Sequence, residues 1–446
     1  MPVKPRFLTR FPGVRVLLLL VIFNVIRDQS ASASIIGTNP PAQSLTAERI
    51  ARLPATQLAA WLAYLRRSQL QRQADKAAFR YELKRAGITT PIEPPHSSSA
   101  RSIPLHRDAA WYASTDAQHI ADIILSFQTP AGGWGKNLDM SKHARQPGER
   151  CGPDNLSRFL STDDFDTPAE PDWNYIGTID NDATTTELNF LARVITAAGA
   201  TREPSWRASF LRGINYLLAA QYPNGGWPQV WPLEGGYHDA ITYNDDAMTQ
   251  VMELMHNASQ GQGDFAFVPA SLRPRAAQSF ARGLACVLKT QLTNNGKRSI
   301  WAQQYDPLTL EPTSARDYEP PDPFPAESTA ILLLLMNDLP KPTAEQLLAI
   351  KAGIEWIHKT AIYGQSWGPT PNGRNLTVHA GAGPLWARYY LAGADTPIFG
   401  DRDKSIHDDV NEISAERRNG YGWYTYDPKE ALDRFDSWQK EHQETK

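Results

Sequence analysis

Residues 177–194 read G-T-I-D-N-D-A-T-T-T-E-L-N-F-L-A-R-V, a polar turn that leads into an apolar stripe. The stripe consists of Ala183, Leu188, Leu191, Ala192 and Ile195. From Leu188 onward the spacing is helical. Asp180, Asn181 and Asp182 stand just before the stripe, and Asp and Asn favour a helix N-cap. We therefore predict a buried helix capped by Asp180 or Asn181. Because two carboxylates and an amide exceed what one cap needs, a cation or sugar site at the helix start is an equal alternative.

A second stretch repeats this arrangement. Residues 241–255 read I-T-Y-N-D-D-A-M-T-Q-V-M-E-L-M, with Asn244, Asp245 and Asp246 before an apolar helix. Each acidic stretch follows a helix that ends in Gln, a proline turn and Gly-Gly-Trp, read as Q-T-P-A-G-G-W at 128–134 and Q-Y-P-N-G-G-W at 221–227. Few stretches alternate as strands. Such a repeat predicts an all-α fold, an α/α toroid or incomplete α/α barrel with long loops on one rim.

The toroid predicts where the acidic side chains go. Inner helices that start on one rim direct their N-termini into the same cleft, so the carboxylates of the two motifs converge and repel unless a cation is bound. Ligands that are all oxygen suit Ca²⁺ or Mg²⁺. The ten His residues show no paired spacing and there are only two Cys, which argues against zinc.

Composition limits the number of domains and the kinds of partner to expect. The chain has 446 residues, enough for one large domain or two ordinary ones. Its formal net charge of -3 gives no reason to expect a nucleic-acid partner. Thirteen Trp and sixteen Tyr are typical of sugar-binding proteins, although a large helical core accounts for them equally well.

The first 33 residues are predicted to be a signal peptide. Basic residues precede the apolar run Val16–Ile26, and Ala31-Ser32-Ala33 offers a cleavage site. We therefore expect a secreted or periplasmic protein with no stable membrane span in the mature chain. Arg27 and Asp28 leave an uncleaved anchor as the alternative. In an oxidising compartment the two cysteines, Cys151 and Cys286, have the option of pairing, which their spacing does not decide.

Residues 34–104 are predicted to form a separate N-terminal piece. The run from Thr46 to about residue 87 is rich in Ala, Leu, Gln and Arg, with a break near Pro54, and it predicts a helical hairpin. Three prolines and four serines over 89–102 predict a linker or an extended segment. The toroid domain then covers 105–435.

Three arginines stand in notable surroundings. Arg316 lies in a long polar, proline-rich loop at 301–321, where a surface ion pair is the alternative to a functional role. Arg388 and Arg402 have apolar or aromatic neighbours, a setting that suits carboxylate recognition.

Together, these segments resemble the family 10 polysaccharide lyases, which are pectate lyases with an α/α toroid-like fold. The matching blocks are W-G-K-N at 134–137, T-I-D-N-D-A-T at 178–184, G-G-W-P-Q at 225–229, N-D-D-A-M at 244–248, the run from Q-Y-D to A-R-x-Y-E at 304–319, E-S at 327–328, and the C-terminal A-R-Y-Y, P-I-F-x-D-R-D and E-R-x-x-G-Y-x-W. The resemblance covers roughly 105–430.

The resemblance implies calcium-dependent β-elimination of α-1,4-linked polygalacturonate by a monomer. Asp180 and Asp246 would hold Ca²⁺ together with the substrate carboxylate, and Arg316 matches the family's proposed base. The implied substrate-binding residues are Lys136, Asn181, Arg388 and Arg402. The chain departs from the family pattern at 322–326, where D-P-F-P-A replaces the usual serine- and glycine-rich run, and this leaves the uronate preference open.

Elimination is also chemically reasonable for these residue types. A 4-linked uronate loses its C5 proton, and cations beside the neighbouring carboxylate stabilise the enolate-like intermediate. A guanidinium normally keeps its proton, so Arg316 has an alternative role in binding substrate while another group takes the proton.

Two other classes of protein stay open. Residues 212–227 resemble the Gln-Trp repeat of terpenoid cyclases, although Ala183 replaces the third acid of their D-x-D-D-T-A motif. A non-catalytic polyuronate-binding protein is the third interpretation.

Overall fold

The computed structural model describes residues 35–100, 102–160, 163–199, 204–294, 296–339 and 341–443. These residues are rich in helix and contain little sheet, so the α-rich part of the fold prediction is confirmed. The predicted signal peptide lies outside the described residues. Within them, no helix is both long and apolar enough to cross a bilayer.

The helices account for most of the ordered structure. They are α1 (Ala47–Ile50), α2 (Ala55–Ala86), α3 (Thr115–Phe127), α4 (Thr185–Ala198), α5 (Pro204–Ala220), α6 (Ala247–Gln260), α7 (Arg273–Thr290), α8 (Pro325–Asn337), α9 (Ala344–Thr360), α10 (Ala415–Gly420) and α11 (Pro428–Gln443). Short 3₁₀ helices cover Ala109–Ala113, Pro171–Trp173, Asp180–Asp182, Gly236–Asp239, Asn244–Asp246 and Gly263–Phe265.

The strands are short. They are β1 (Ile35–Thr38), β2 (Ile241–Thr242), β3 (Thr293–Asn294), β4 (Lys297–Arg298), β5 (Gln304–Tyr305), β6 (Gln365–Thr370), β7 (Gly373–Val378), β8 (Trp386–Ala387), β9 (Tyr389–Tyr390), β10 (Pro397–Gly400), β11 (Ser405–His407) and β12 (Tyr424–Thr425). An antiparallel sheet has the order β1-β11-β10-β9, and two-stranded pairs join β12 to β8, β2 to β5, β3 to β4 and β6 to β7.

The long helices pack in two series. In one series α3 packs on α5, α5 on α7 and α7 on α9. In the other α4 packs on α6, α6 on α8 and α8 on α11. The two series also contact each other, for example α6 with α7, and enclose the main apolar core. The two acidic motifs contact each other where α4 and α6 begin, and the second motif also contacts α8.

A repeated turn fastens the first series. The side-chain amide of Gln128 donates to a carbonyl of its own turn at 2.8 Å and to a carbonyl of the next helix at 2.9 Å, and Gln221 and Gln291 do the same at the same distances. The indole N–H groups of Trp134, Trp227, Trp301 and Trp386 donate to carbonyls of α3, α5, α7 and α9. The repeat seen twice in the sequence therefore recurs in the structure.

The predicted N-terminal hairpin is wrong. α1 is a single turn, and α2 is one helix of 32 residues. Pro54 stands immediately before α2, where proline is tolerated, and no Gly or Pro interrupts the run until Gly87 ends it at φ 69°. The helix lies along the main body, and the Tyr64 hydroxyl donates to the carbonyl of Ala220 at 2.8 Å. Cys151 and Cys286 are both free thiols.

Candidate functional site

Both acidic motifs form 3₁₀ turns rather than helix caps. α4 begins only at Thr185, behind Thr184, and no side chain caps it, so the predicted cap at Asp180 or Asn181 is wrong. Both turns contain left-handed residues, namely Asn181 (φ 51°), Asp182 (φ 63°), Asp245 (φ 50°) and Asp246 (φ 57°). Such conformations are costly for non-glycine residues and cluster at functional sites. The turns thus present their polar side chains to the cleft instead of the helix.

Asp180 is the centre of the site. Its side chain is 1% exposed, and its Oδ2 accepts a hydrogen bond from Lys136 Nζ at 2.6 Å. The Asn244 amide donates to Asp180 Oδ1 at 3.0 Å and to Asp245 Oδ2 at 2.9 Å, so one amide joins the two motifs. Burial alone would raise the pKa of Asp180, but the charge and the hydrogen bond of Lys136 lower it below its ordinary value. Asp180 is therefore ionised at neutral pH.

The second motif contributes two carboxylates with raised pKa values. Asp245 is exposed to solvent yet surrounded by protein, as at the floor of a cleft. Burial and then the negative charge of Asp180 raise the pKa of Asp245. Burial, followed by the charges of Asp245 and Asp182, raises the pKa of Asp246 to about 7. Negative charge in the cleft is thus incompletely compensated by the protein.

A cavity of about 420 Å³ opens beside these carboxylates. Asp245, Asp246, Glu327 and Arg388 line it. Glu327 is 4% exposed, and its Oε1 accepts from the backbone N–H of Asp245 at 3.1 Å. Its Oε2 and the Nε of Arg388 have no hydrogen-bond partner among the described residues. Burial raises the pKa of Glu327 well above its ordinary value. An acidic side chain and a cationic one thus lie at one cavity with hydrogen-bonding capacity to spare.

Two aromatic rings hold Arg388. The guanidinium carbon is 4.7 Å from the ring centroid of Phe324 and 4.4 Å from that of Tyr421, so cation–π contacts support it on both sides. Phe324 belongs to the segment 322–326 that departs from the family pattern. That segment therefore helps to place one of the arginines predicted to bind substrate.

Arg316 lies between β5 and α8, and carboxylates surround it. Its Nε is 3.7 Å from Asp166 Oδ2, and one of its terminal nitrogens is 3.4 Å from Glu319 Oε1. Burial acts to lower the pKa of Arg316, but Glu319 and then the other acidic neighbours raise it above its ordinary value. Its positive charge in turn lowers the pKa values of Asp180 and Asp245. Arg316 therefore belongs to the same electrostatic cluster and is fully protonated in the free protein.

Arg402 lines a second cavity with Arg316, and Asn181 is linked to it by hydrogen bonds. A cavity of about 190 Å³ is lined by Arg316, Arg402 and Asn155 among others. Arg402 donates to both oxygens of Glu416, at 2.7 and 3.3 Å. Asn181 donates to Asn137 at 3.1 Å, and Asn137 donates to Asn155 at 2.7 Å. Asn181 thus connects to this second cavity rather than to the partners of Asp180.

Sequence reasoning assigned no role to several residues of the site. Glu327 and Asp166 were given none, and Asn244 and Asp245 were named only as members of the second acidic motif. Glu327 had a signal in the sequence, because it belongs to the matched E-S pair at 327–328. In the structure, Ser328 accepts the backbone N–H of Trp301 at 3.0 Å, just as Thr184 accepts the backbone N–H of Trp134 at 3.1 Å. Glu327 lies in the first turn of α8, where it accepts a hydrogen bond from the turn that precedes α6. Asp166 lies in a loop without a recognisable motif and gave no signal.

The donor set fits a hard cation with additional ligands. Carboxylate and amide oxygens face the cleft, and these are the ligands that Ca²⁺ prefers. In the described part of the chain, no group of three or more His, Cys, Asp and Glu residues is arranged to hold a metal ion unaided. The raised pKa values of Asp245, Asp246 and Glu327 show that the protein alone disfavours their charged forms, which a bound cation would stabilise, and Glu327 Oε2 has no hydrogen-bond partner among the described residues. A bound anion or water would have to complete the coordination.

Comparisons with known proteins agree with this chemistry. A family model described as pectic acid lyase matches residues 128–432. A family 10 polysaccharide lyase from Cellvibrio cellulosa superposes with a TM-score of 0.61 and 28% identity, covering 76% of this chain and 98% of that one. An aspartate-to-alanine mutant of a family 10 polysaccharide lyase from the same organism, in complex with trigalacturonic acid, gives 0.61 and 29%, covering 73% and 94%. No curated protein sequence matches significantly.

Proposed function

Because the chain belongs to the pectic acid lyase family and is a pectate lyase, we propose that it cleaves α-1,4-linked polygalacturonate by calcium-dependent β-elimination in the cleft around Asp180. The observation that carries the proposal is the joining of the two acidic motifs by Asn244, with Lys136, Arg316 and Arg388 around them. This arrangement brings positive charge beside a uronate carboxylate, which is what loss of the C5 proton requires.

Each positive side chain has a proposed part. Arg388, with its free Nε, would receive a substrate carboxylate in the 420 Å³ cavity. Arg402 and Asn181 would contact the neighbouring part of the polyuronate chain, and Lys136 would contact substrate while keeping Asp180 ionised. Arg316 would be needed for removal of the C5 proton. Since Glu319 and Asp166 stabilise its guanidinium, substrate binding must change the charge balance before Arg316 accepts a proton.

Asp180 and Asp246 are the proposed Ca²⁺ ligands, together with the substrate carboxylate. Asp245 is added to them, because Asn244 bridges it to Asp180 and because the charge of Asp180 raises its pKa. Bound Ca²⁺ supplies positive charge beside the uronate carboxylate and so lowers the barrier to C5 deprotonation.

The reaction is tested by the nature of its product. Elimination leaves a C4=C5 double bond conjugated with the carboxylate, so absorbance in the ultraviolet should rise as polygalacturonate is shortened. A chelator should abolish this signal, and added Ca²⁺ should restore it. The double variant Asp180→Asn, Asp246→Asn should be inactive at any Ca²⁺ concentration. Reducing ends that form without absorbance would mean hydrolysis, and full activity of the double variant in metal-free buffer would contradict the metal assignment.

The remaining features are proposed on weaker support. The two packed series of helices support an incomplete α/α toroid over 105–435. The basic and apolar pattern of residues 1–33 supports export to the periplasm or the medium. We also propose that the protein acts as a monomer and in an endo fashion, which sedimentation and the size distribution of early products would test.

A further inference from the structure

We propose that Asn39 is a positioning residue that fixes the loops of Arg316 and Arg402 relative to each other. Asn39 lies on the N-terminal arm, defined here as residues 35–50, which precedes the part of the chain that the family model matches. The inference rests on the proposed roles of the two arginines in the lyase reaction.

The side chain of Asn39 holds the loop of Arg316. Its amide nitrogen lies 3.0 Å from the carbonyl oxygen of Arg316, 3.0 Å from that of Asp317 and 3.1 Å from that of Glu319. The backbone N–H of Glu319 donates to the carbonyl of Arg316 at 2.9 Å, so these residues form one tight turn. Asn39 is only 2% exposed and directs its donors into the concave, carbonyl-lined side of that turn.

The backbone around Asn39 holds the loop of Arg402. The N–H of Asn39 donates to the carbonyl of Lys404 at 2.7 Å. The preceding strand β1 pairs with β11, where Thr38 lies opposite Ser405. The arm is therefore hydrogen-bonded to the turn that carries Arg402 and to the strand that follows it.

Backbone placement determines the distance between the two arginines. Arg316 and Arg402 line the same 190 Å³ cavity, but each is paired with a different carboxylate, Arg316 with Glu319 and Arg402 with Glu416. Asn39 bonds to the backbones of both loops. Loss of its side chain would remove the donor that joins the carbonyls of Arg316, Asp317 and Glu319 to the arm, while β1 stays paired with β11. The Arg316 turn is then free to shift relative to Arg402.

A double-mutant cycle separates positioning from general stabilisation. Asn39→Ala should lower kcat/KM on polygalacturonate at least tenfold in the otherwise natural protein. In an Arg316→Lys background the same change should alter kcat less than twofold, because the group that Asn39 positions has already been replaced. In an Arg402→Ala background it should add little to the increase in KM. A residue that only stabilises the fold would instead produce the same factor in every background.

Asn224→Ala is the matched control. The Asn224 amide also donates to a carbonyl of the same long loop, that of Pro307 at 2.8 Å. Pro307 precedes Arg316 by nine residues and lies outside the turn that Asn39 holds. Asn224→Ala should leave kcat and KM within twofold of the natural values. If Asn39→Ala does not fold, Asn39→Gln keeps the donor one methylene further out, and the same cycle can be run with it.

The outcomes are distinct. Natural activity of Asn39→Ala, or an equal loss in all three backgrounds, would overturn the inference. If Arg316→Lys itself retains natural kcat, the proposed role of Arg316 fails. The positioning role of Asn39 is then decided by the effect of Asn39→Ala on KM in the Arg402→Ala background.

Discussion

At the scale of single residues, the division of the Asp180 carboxylate between two donors is the central feature. Lys136 takes one oxygen and Asn244 takes the other. A buried carboxylate left without partners costs several kcal/mol, so both contacts are needed to keep the charge in place. The Lys136 Nζ is also 3.4 Å from the ring centroid of Tyr175, which confines it over the site. Asp180 is therefore a preorganised anion in the free protein.

Arg316→Ala should lower kcat by roughly 100-fold or more and change KM by much less. The physical reason is that Arg316 lies in the charged cluster around Asp180 and Asp245, where we propose that it is needed for removal of the C5 proton. Initial rates of unsaturated-product formation measure both constants. A rise in KM with kcat unchanged would make Arg316 a binding residue.

Glu187→Gln should remove a loss of stability that the natural protein shows as pH rises from about 4.5 to about 8. Glu187 is 2% exposed, and its Oε2 has no hydrogen-bond partner among the described residues. Burial raises its pKa from 4.5 to about 8, so between those values the folded protein binds a proton that the unfolded chain has lost. Stability therefore falls as pH rises through this window, by about 1 kcal/mol per pH unit. Urea unfolding at pH 5, 6.5 and 8 should show a flatter profile for the Gln variant, and parallel profiles would contradict the prediction.

At the scale of elements, the lengths of the four turns that end in Trp explain why only two of the four repeats are visible in the sequence. The first two turns are short and share Gly-Gly-Trp, so they are visible as a repeat. The third turn inserts β3 and β4 before Trp301, and the fourth inserts β6 and β7 before Trp386, which removes any fixed spacing. The equivalence appears in the indole hydrogen bonds to the preceding helix and, for the third turn, in the two hydrogen bonds of Gln291.

Local backbone conformation explains why the predicted hairpin and the predicted helix caps are wrong. The α-rich fold and the contact between the two acidic segments follow from helical spacing and local residue types. The hairpin failed because Pro54 begins a helix instead of breaking one. The caps failed because left-handed residues between Asp180 and α4 delay the helix, and single-sequence patterns carry little information on such conformations. Asn244 and Asp166 reach the site only through contacts distant in sequence.

Gly225→Ala should destabilise the protein by roughly 2 kcal/mol or more. Gly225 has φ 102°, and a Cβ there would collide with the carbonyl oxygen of Arg282 in α7, so the turn must shift away from the helix that Gln221 fastens to it. Gly364→Ala is the control, because Gly364 has φ 70° but no atom within 4 Å of a Cβ, and it should cost only about 1 kcal/mol. Equal midpoints in urea unfolding would show that the close approach is unimportant.

At the scale of the whole molecule, arginines line the cavities of the site although the net charge of the chain is negative. The chain carries a formal net charge of -3, and bound Ca²⁺ is proposed to neutralise the carboxylates of the site. Arg388 lines the cavity beside those carboxylates, and Arg316 and Arg402 line the second cavity. Positive charge within a concave surface concentrates a polyanion locally even when the protein as a whole is acidic. The cleft rather than the surface at large is therefore expected to attract polygalacturonate.

This distribution predicts the salt dependence of the enzyme. Screening acts over about 10 Å at 0.1 M salt, so raising NaCl from about 20 to 300 mM at fixed Ca²⁺ should raise KM for polygalacturonate several-fold and change kcat less. Arg402→Ala should flatten the dependence, because it removes a partly exposed charge that is proposed to contact the chain away from the Asp180 centre. Highly methyl-esterified pectin should react poorly at every salt concentration, because its neutral esters neither attract the arginines nor bridge to the cation. A KM for polygalacturonate that stays constant with salt, or an esterified substrate cleaved as well as the free acid, would mean that the cleft selects its substrate by shape instead of charge.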